Sequence, residues 1–423
     1  MMQTEQHTLA DTLDGYTAGL DAPLSCLPRL VYIGDVPVEP TVYGCALLYR
    51  LLSGYPKNGL RILEGNPWRT PRFRRLPGVT YEPLQIGNRR LISSRLSRLY
   101  GSWLLWKAEE KWRLVDQIMG AFKPEAVLTV TNGFSWLTAS AYAERRSLPL
   151  HLILHDEWVS DLCVVEWLRP KMELMFERYY RQAASRLCVS PYMAQQYQKQ
   201  YKAPGEILYP SRAPDVPYFD TPPSRLLKSN HNPVFAYGGT INFAGYPRLL
   251  RQVAEILASV DGKLLIFGPL GRERAKAIGL DLPNIVLRGM TPSEKMIHSF
   301  REEADALILP MSFESQNMTN MRISFPSKLT DYTASGVPIL IYGPRYCSAV
   351  RWARETPGVA AVVDVDDATE LSTVIKRLCE DGDLRWRLGA KALEAGKEFF
   401  SSEAASKVFY SALIRGSQNQ PEL

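Results

Sequence analysis

A helix start in the C-terminal half carries the residue types best suited to binding phosphate. The segment 325–340 reads FPSKLTDYTASGVPIL, and Gly336 with Pro338 just beyond it predicts the end of a helix that begins near Ser327. The backbone N–H groups and the positive dipole end of such a helix attract phosphate. Ser327 adds a hydroxyl donor and Lys328 a compact positive charge, which together suit a diphosphate.

Asp331 follows Lys328 by three residues and Ser327 by four, so the three side chains are expected to share one helical face. A carboxylate is repelled by phosphate and is better matched to the hydroxyl donors of a ribose or a sugar. The alternative is that Ser327 only caps the helix, while Lys328 and Asp331 form a surface ion pair.

Short apolar runs in the C-terminal half end in glycine, which suits a chain that must approach a ligand closely. The segment 235–240 (FAYGGT) predicts a strand followed by a glycine turn, and IFGP and LRGM end two further strands in the same way. Ligands of α/β sheets bind at the carboxyl ends of the strands. A plain tight turn is the alternative for the Gly-Gly pair alone. The residues predicted here for ligand binding are Gly238, Gly239, Thr240, Asn242, Gly268, Arg288 and Gly289.

Polar side chains also follow predicted strands of the N-terminal half. His155 and Asp156 come directly after the apolar run 150–154, where side chains that face a ligand are expected. The alternative is that His155 ends the strand structurally and Asp156 caps a following helix. Loops after other apolar runs place Gly34, Asp35, Tyr43, Gly44 and Asn132 at comparable positions, which an ordinary strand–loop–helix junction explains equally well.

Strand-like and helix-like stretches alternate through most of the chain, which predicts parallel sheets covered by helices on both faces. Prolines cluster between residues 209 and 233 and interrupt this rhythm, as expected for a connection between domains. The predicted fold class is α/β: two doubly wound Rossmann-like domains facing each other across a cleft, with a C-terminal helix. The predicted parts are a loose arm at 1–25, an N-terminal domain at 26–212, a linker at 213–232, a second domain at 233–390 and a helical segment at 391–423.

The order of these motifs resembles that of retaining GT-B glycosyltransferases of the group 1, or family 4, type. The resemblance covers residues 230 to about 400 well and the N-terminal half more loosely, and its most specific part is the sequence PSKLTDYTASGVPIL. It implies transfer of a sugar from a nucleotide diphosphate sugar, bound by the second domain, to an acceptor bound by the first. Asp331 would then contact the donor ribose, His155 the donor sugar or the acceptor, and Asp156 an acceptor hydroxyl.

In this family the departing diphosphate is thought to help deprotonate the acceptor hydroxyl, so the protein contributes mainly positioning and charge stabilisation. The catalytic side chains implied are His155, Asp156 and Lys328. The helix start and Lys328 would do the work of a cation, so neither a metal nor another cofactor is expected. Ser327 and Leu329 complete the donor side, and the five loop residues of the N-terminal half would lie on the acceptor side.

The sequence departs from the family pattern at two places. The first of two expected glutamates falls on Ile323, so Glu314 or the polar loop 315–317 would have to replace it. The basic side chains expected after the first glycine turn are also missing until Arg248, and Lys328 would supply their positive charge. Two alternatives therefore stay open: a nucleotide-sugar 2-epimerase of the same fold, and a non-catalytic scaffold.

The composition of the 423 residues sets the expected compartment and partners. The six cysteines are scattered, and neither an export signal nor a membrane-spanning apolar run is recognisable, which predicts a cytoplasmic protein. The residues between 66 and 100 include eight arginines and one acid. With the tryptophans that follow, they predict peripheral contact of the region 69–107 with the inner face of the membrane, although a solvated basic face is the alternative. The expected acceptor is a glycan or a lipid-linked acceptor, as in bacterial surface polysaccharide synthesis, and nucleic acid is not an expected partner.

Overall fold

The structure, a computed structural model, describes residues 26–40, 43–65, 70–84, 87–92, 94–157, 164–214, 216–228 and 232–418. The arm predicted at 1–25 lies outside these ranges, as does Arg69 of the arginine-rich region. The chain divides into an N-terminal unit, Met1–Tyr209 together with Ser402–Leu423, and a C-terminal unit, Pro210–Ser401.

The N-terminal unit is built on a sheet of seven parallel strands. Strands β1, β4 and β5 are buried along their whole length, which is why they stand out in the sequence as continuous apolar runs. The sheet order is β3-β2-β1-β4-β5-β6-β7. The strands are β1 Leu30–Gly34, β2 Leu60–Glu64, β3 Thr80–Pro83, β4 Ala126–Val130, β5 Leu150–Leu154, β6 Ser185–Cys188 and β7 Glu206–Ile207.

Helices connect these strands as expected for parallel pairing. The helices of this part are α1 Tyr43–Ser53, α2 Arg89–Ile92, α3 Ser97–Glu110, α4 Trp112–Met119, α5 Ser135–Arg145, α6 Arg169–Gln182 and α7 Pro191–Tyr201. Short 3-10 turns lie at Lys57–Gly59, Arg72–Arg74 and Glu166–Leu168.

The C-terminal unit has a six-stranded parallel sheet in the order β10-β9-β8-β11-β12-β13. Its strands are β8 Val234–Gly238, β9 Lys263–Phe267, β10 Ile285–Gly289, β11 Ala306–Pro310, β12 Ile339–Tyr342 and β13 Ala361–Val363. Its helices are α8 Tyr246–Ala258, α9 Arg272–Ala277, α10 Ser293–Glu303, α11 Met318–Ile323, α12 Lys328–Ser335, α13 Ser348–Glu355, α14 Ala368–Glu380 and α15 Gly382–Phe400, with 3-10 turns at Ser224–Leu227 and Ser315–Asn317.

The last helix of the chain, α16 (Ser402–Gln418), belongs to the N-terminal unit. Phe409, Tyr410 and Leu413 are buried in the core of that unit, and the Tyr410 hydroxyl donates to the Leu51 carbonyl at 2.9 Å. The continuous helical segment predicted at the end of the chain is therefore two helices. They are separated at Ser401, whose backbone is extended.

The proline-rich stretch predicted as a linker lies within the C-terminal unit and is tied to it by Arg385. This guanidinium is completely buried and donates to the carbonyls of Leu226 at 3.0 Å and Lys228 at 2.7 Å. The same side chain donates to Leu378 and Cys379 at the end of α14. Because a buried charge is costly unless its donors are satisfied, these bonds fix the stretch against α14 and α15.

In both sheets the strand order reverses beside the first strand, between β1 and β4 and between β8 and β11. Such a switch point leaves a crevice at the carboxyl ends of the strands, where ligands of α/β proteins bind. Among the helices in the described ranges, none is long and apolar enough to cross a bilayer.

Candidate functional site

Helix α12 ends as its sequence predicts and begins with a cap position whose side chain is not used. Gly336 closes it in a left-handed conformation, with φ of 66°, which glycine adopts without strain. Ser327 occupies the N-cap position, and its hydroxyl accepts no capping hydrogen bond. The Leu329 amide donates to the Pro326 carbonyl at 3.1 Å. The amides of Ser327 and Lys328, at the start of the helix, have no hydrogen-bond acceptor among the described residues.

Lys328 carries a positive charge that no carboxylate of the described residues neutralises. Its Nζ lies 5.5 Å from the ring centre of Tyr237 and 5.8 Å from that of Tyr246. Burial lowers the pKa of Lys328 to about 8, because desolvation disfavours the charged form. The ion pair with Asp331 that the sequence left open is not formed. An ammonium in such surroundings is stabilised by an anion placed beside it.

Gly239, directly after β8, lies against the side chain of Lys328. A Cβ at Gly239 would be 2.5 Å from the Lys328 Cε, and its φ of 129° is one that other residues rarely adopt. Gly268, after β9, has φ of 148°, and a Cβ there would be 2.3 Å from the Gly239 carbonyl oxygen. These glycines allow two strand ends and the lysine to approach one another. Gly238 has a packing role instead, since a Cβ there would be 2.8 Å from the Met296 sulfur.

Asp331 lies buried on α12, one turn beyond Lys328. The hydroxyl of Ser293, at the start of α10, donates to its Oδ2 at 3.3 Å. Arg212, buried at the beginning of the C-terminal unit, donates to the Thr330 carbonyl at 3.1 Å and its charge acts on Asp331. These contacts hold the helix that carries Lys328 and Asp331.

Tyr332 ties α12 to the switch point of the sheet. Its hydroxyl accepts from the Gly238 amide at 2.8 Å and donates to the Ile308 carbonyl at 3.2 Å, so it joins α12 to β8 and β11. Tyr332 was not among the residues predicted from the sequence, although its place beside Asp331 in the motif PSKLTDYTASGVPIL could have indicated it. Arg212 was also missed, and its position in the proline-rich stretch gives no such signal.

The other residues predicted for the donor side differ in what they can offer. Leu329 is completely buried, so its side chain is not accessible to a ligand. Arg288 forms an ion pair with Glu303. Glu314 is exposed after β11, and its Cγ would be 3.3 Å from a Cβ on Gly245. Thr240 accepts a hydrogen bond through its carbonyl from the Tyr237 hydroxyl, Asn242 is exposed, and Gly289 has a positive φ.

Ile323, at the position where the family pattern has its first glutamate, ends α11 and is 2% exposed. Its side chain is part of the packed interior and offers no group to a sugar hydroxyl. Within the described ranges, no group of three or more His, Cys, Asp and Glu side chains is placed to hold a metal ion.

At the switch point of the N-terminal sheet, Asp35 binds the start of α5. Its carboxylate accepts from the Phe134 amide and from the amide and hydroxyl of Ser135, each at 2.7 Å. Two glycines make room for this contact, since a Cβ on Gly133 would be 2.2 Å from Asp35 Oδ2 and one on Gly65 would be 1.8 Å from the Ser135 hydroxyl. Asp35 therefore has a structural function within this unit, and its predicted acceptor contact stays a prediction.

His155 follows β5 with an imidazole that is neutral at neutral pH. Burial lowers the pKa of His155 to about 4, and its Nε2 is buried without a hydrogen-bond partner among the described residues. Thr131, after the neighbouring strand β4, has a buried hydroxyl that also lacks a hydrogen-bond partner among the described residues. A bound water, an ion or a polar ligand can supply the missing partners of these two groups at adjacent strand ends.

The remaining predicted residues of the N-terminal unit have less defined surroundings. Gly34 ends β1, and a Cβ there would be 2.1 Å from the Tyr32 hydroxyl. Asp156 and Asn132 are exposed after β5 and β4. Tyr43 and Gly44 begin α1, and their side chains lie outside the described part.

Comparisons with known proteins give matches at the level of structure. No protein-family profile matches the sequence, and no curated protein matches it significantly. Sucrose-phosphate synthase from Thermosynechococcus elongatus superposes with a TM-score of 0.62 at 14% identity, over 90% of this chain and 97% of its own. HepE from Anabaena, in complex with UDP and glucose, gives 0.60 at 13% identity, over 91% and 99%.

A third similar structure is the α,α-trehalose 6-phosphate synthase from Burkholderia multivorans, with a TM-score of 0.62 at 13% identity, over 93% of this chain and 97% of its own. The superpositions extend over nearly the full length of all three proteins, although few residues are identical. They show that this chain has the two-domain α/β fold of the GT-B glycosyltransferases.

Proposed function

We propose that this protein is a glycosyltransferase that takes a sugar from a nucleotide diphosphate sugar held by its C-terminal unit. The observation that carries the proposal is the close packing of the Lys328 side chain against Gly239. A desolvated ammonium without an anionic partner lies against a glycine at the end of β8, beside the switch point of a sheet of the GT-B type. A diphosphate provides the anion that this arrangement lacks.

In this reaction the site would stabilise a leaving diphosphate. Negative charge develops on the diphosphate as its bond to the sugar breaks, and Lys328 with the two amides at the start of α12 would stabilise it. We propose transfer with retention of configuration and without a metal ion. Asp331, with Ser293 at its Oδ2, would receive the ribose, and exposed Glu314 would act on the sugar in place of the glutamate missing at Ile323.

The acceptor is assigned to the N-terminal unit. The neutral imidazole of His155 can donate or accept a hydrogen bond with a sugar hydroxyl without introducing charge, and Asp156 would receive the acceptor hydroxyl. The proposed acceptor is a glycan or a lipid-linked sugar of bacterial surface polysaccharide synthesis, reached at the inner face of the membrane. HepE is known in complexes with UDP and UDP-glucose, which makes UDP-sugars the first donors to test.

Donor binding can be tested by thermal unfolding with a panel of nucleoside diphosphates and nucleotide sugars. A ligand that binds the native state raises the melting temperature, so at least one compound is expected to do so in the wild-type protein. Lys328→Ala should abolish that increase while the protein still unfolds cooperatively. Lys276→Ala, which removes the same charge from an exposed position of α9, is the matched control and should behave as wild type.

Turnover of the stabilising donor distinguishes the activities. Lys328→Ala is expected to lower transfer about 100-fold or more, the usual effect of removing one group that stabilises developing negative charge. Transfer should persist in EDTA. Unchanged turnover in Lys328→Ala would remove this lysine from the mechanism, and isomerisation of the donor without an acceptor would identify a 2-epimerase instead.

A non-catalytic scaffold is the second candidate, and the burial of Ile323 favours it. A scaffold would still bind a nucleotide at Lys328 but would neither transfer nor hydrolyse any nucleotide sugar. Detectable hydrolysis or transfer with any donor of the panel excludes it.

A further inference from the structure

We propose that one face of the N-terminal unit binds the surface of an anionic lipid membrane. The face, called here the α3–α6 face, consists of exposed apolar side chains on α3 and its preceding turn and on α6 and its preceding 3-10 turn. Its members are Leu96, Leu99, Trp103, Trp106, Trp167 and Leu174. The proposal assigns a surface to the membrane contact proposed above for the acceptor side and rests on that contact, but not on the sugar transfer itself.

The apolar side chains form two stripes at helical spacing. Leu99, Trp103 and Trp106 follow one another by four and three residues on α3, and Trp167 and Leu174 are two turns apart along α6 and its 3-10 turn. Their exposure ranges from 50% at Trp103 to 76% at Trp167. Large apolar side chains exposed together mark an interaction surface.

The two stripes belong to one continuous surface. The Lys171 ammonium, between Trp167 and Leu174 in the sequence, lies 3.0 Å from the centre of the Trp106 ring. The Ser102 hydroxyl on α3 accepts from the Val165 amide at 3.0 Å, just before the 3-10 turn. These contacts place the Trp106 end of the first stripe beside the second. The sequence pointed to the first stripe only, because α6 is more than fifty residues further along the chain.

The charges at this face favour anionic lipid. Arg90, Arg95 and Arg98 are exposed, and no carboxylate within the described ranges forms an ion pair with them. Four of the five acidic side chains of the same helices and of the 3-10 turn have a partner: Glu110 pairs with Lys107 and Glu166 with Arg169, Glu109 accepts from Tyr179 and Glu177 pairs with Arg181. The fifth, Glu173, is exposed on α6.

Tryptophan and leucine next to unpaired arginines are the composition of a helix surface that lies in the lipid headgroup region. The indole rings have an apolar body and a polar N–H, which suits that boundary, and each arginine near an anionic leaflet adds attraction. A water-exposed face would gain nothing from three tryptophans, and a protein partner would be expected to supply carboxylates for the arginines.

The test is sedimentation of the full chain with vesicles of phosphatidylcholine alone and with added phosphatidylglycerol, without any nucleotide sugar. Binding is expected to the anionic vesicles, to weaken with salt, and to shift tryptophan emission to the blue. Trp103→Ser combined with Trp167→Ser should weaken it at least about tenfold, and Arg95→Glu combined with Arg98→Glu by at least about tenfold.

Arg272→Glu combined with Arg274→Glu is the matched control, because it changes the net charge equally on an exposed helix of the C-terminal unit. It should leave vesicle binding within about twofold of wild type. All variants should keep the melting temperature of the wild-type protein, since the replaced side chains are exposed.

Equal binding to neutral and anionic vesicles, or equal weakening by the control pair, would overturn the proposal. So would a concentration-dependent dimer that the tryptophan variant abolishes while no vesicle binding is seen, because the face would then join two copies of the chain. None of these outcomes bears on sugar transfer, which is measured with nucleotide sugars in solution.

Discussion

The two sheets use the same topology but treat the helix start at their switch points differently. In the N-terminal unit the carboxylate of Asp35 accepts three hydrogen bonds at the start of α5. In the C-terminal unit α12 starts near the end of β8 with an unused Ser327 hydroxyl and an unpaired Lys328. One unit satisfies its helix start with its own anion, whereas in the other no carboxylate of the described residues does so. The difference supports our proposal that the C-terminal unit binds the phosphates of the donor.

Among the variants that test this difference between the units, Gly239→Ala is expected to have the largest effect, because it should lower both stability and nucleotide affinity. The new Cβ would lie 2.5 Å from Lys328 in a backbone conformation with φ of 129°, so both the lysine and the strand end must shift. We expect a loss of about 1–3 kcal/mol in unfolding free energy and at least about tenfold weaker binding of the stabilising nucleotide, measured by thermal unfolding and calorimetry.

Gly271→Ala is the matched control, because a Cβ there meets nothing within 4 Å and the backbone is extended. Because Gly271 is the N-cap residue of α9, where alanine is less favourable than glycine, it should cost up to about 1 kcal/mol and leave nucleotide binding unchanged. If both alanine variants bound nucleotide like the wild-type protein, the contact between Gly239 and Lys328 would have no part in donor binding.

Removal of the Asp35 carboxylate should have the next largest effect. It should lower stability without changing nucleotide binding. Asp35→Ala leaves the amides of Phe134 and Ser135 without their acceptor in a partly buried site, which costs about 1–3 kcal/mol in denaturant unfolding. The nucleotide-induced rise in melting temperature should be unchanged. Asp367→Ala removes an exposed cap of α14 with two hydrogen bonds and should cost less, about 0.5–1 kcal/mol. Equal costs for the two caps would contradict a special function of Asp35.

The smallest effect expected is a pH dependence of nucleotide binding. The folded-state pKa of Lys328 is lowered from 10.5 to about 8, so the empty native state binds fewer protons than the unfolded chain between these values. Its unfolding free energy therefore rises with pH in that window. A bound diphosphate favours the ammonium, so affinity should fall roughly tenfold between about pH 7 and pH 9.

Titration calorimetry of the nucleotide at several pH values measures this dependence, and Lys328→Arg is the control. A guanidinium stays charged throughout this range, so its affinity, although altered by the different shape, should not decline with the same slope. An identical decline in both proteins would assign the titration to a group other than Lys328.

The strands were predicted best where local pattern decides the structure. The run 150–154 is strand β5, and the segment 235–240 contains strand β8, which ends at Gly238 before the predicted glycine turn. Both strands are mostly apolar because they lie inside a parallel sheet. Strand β3 was missed, since its sequence, TYEP, has one large apolar residue and ends in proline. The short strand β7 was missed because two residues carry no pattern.

The missed features of the sites depend on contacts between distant parts of the chain. Asp35 is about one hundred residues from the amides it binds, and Arg212 is separated from Thr330 by 118. No spacing rule connects such positions. Similarly, the sequence could not show that the Ser327 hydroxyl makes no capping hydrogen bond. A serine before a helix looks the same in the sequence whether or not its side chain caps that helix.

The return of α16 to the N-terminal unit sets an order for synthesis at the ribosome. Residues 210–401 form one uninterrupted stretch that makes up their whole unit. The earlier-made part lacks Phe409, Tyr410 and Leu413 of its interior until the final helix is released. The half made first is thus the half completed last, and a polypeptide cut short after Ser401 would leave an apolar gap in the N-terminal unit.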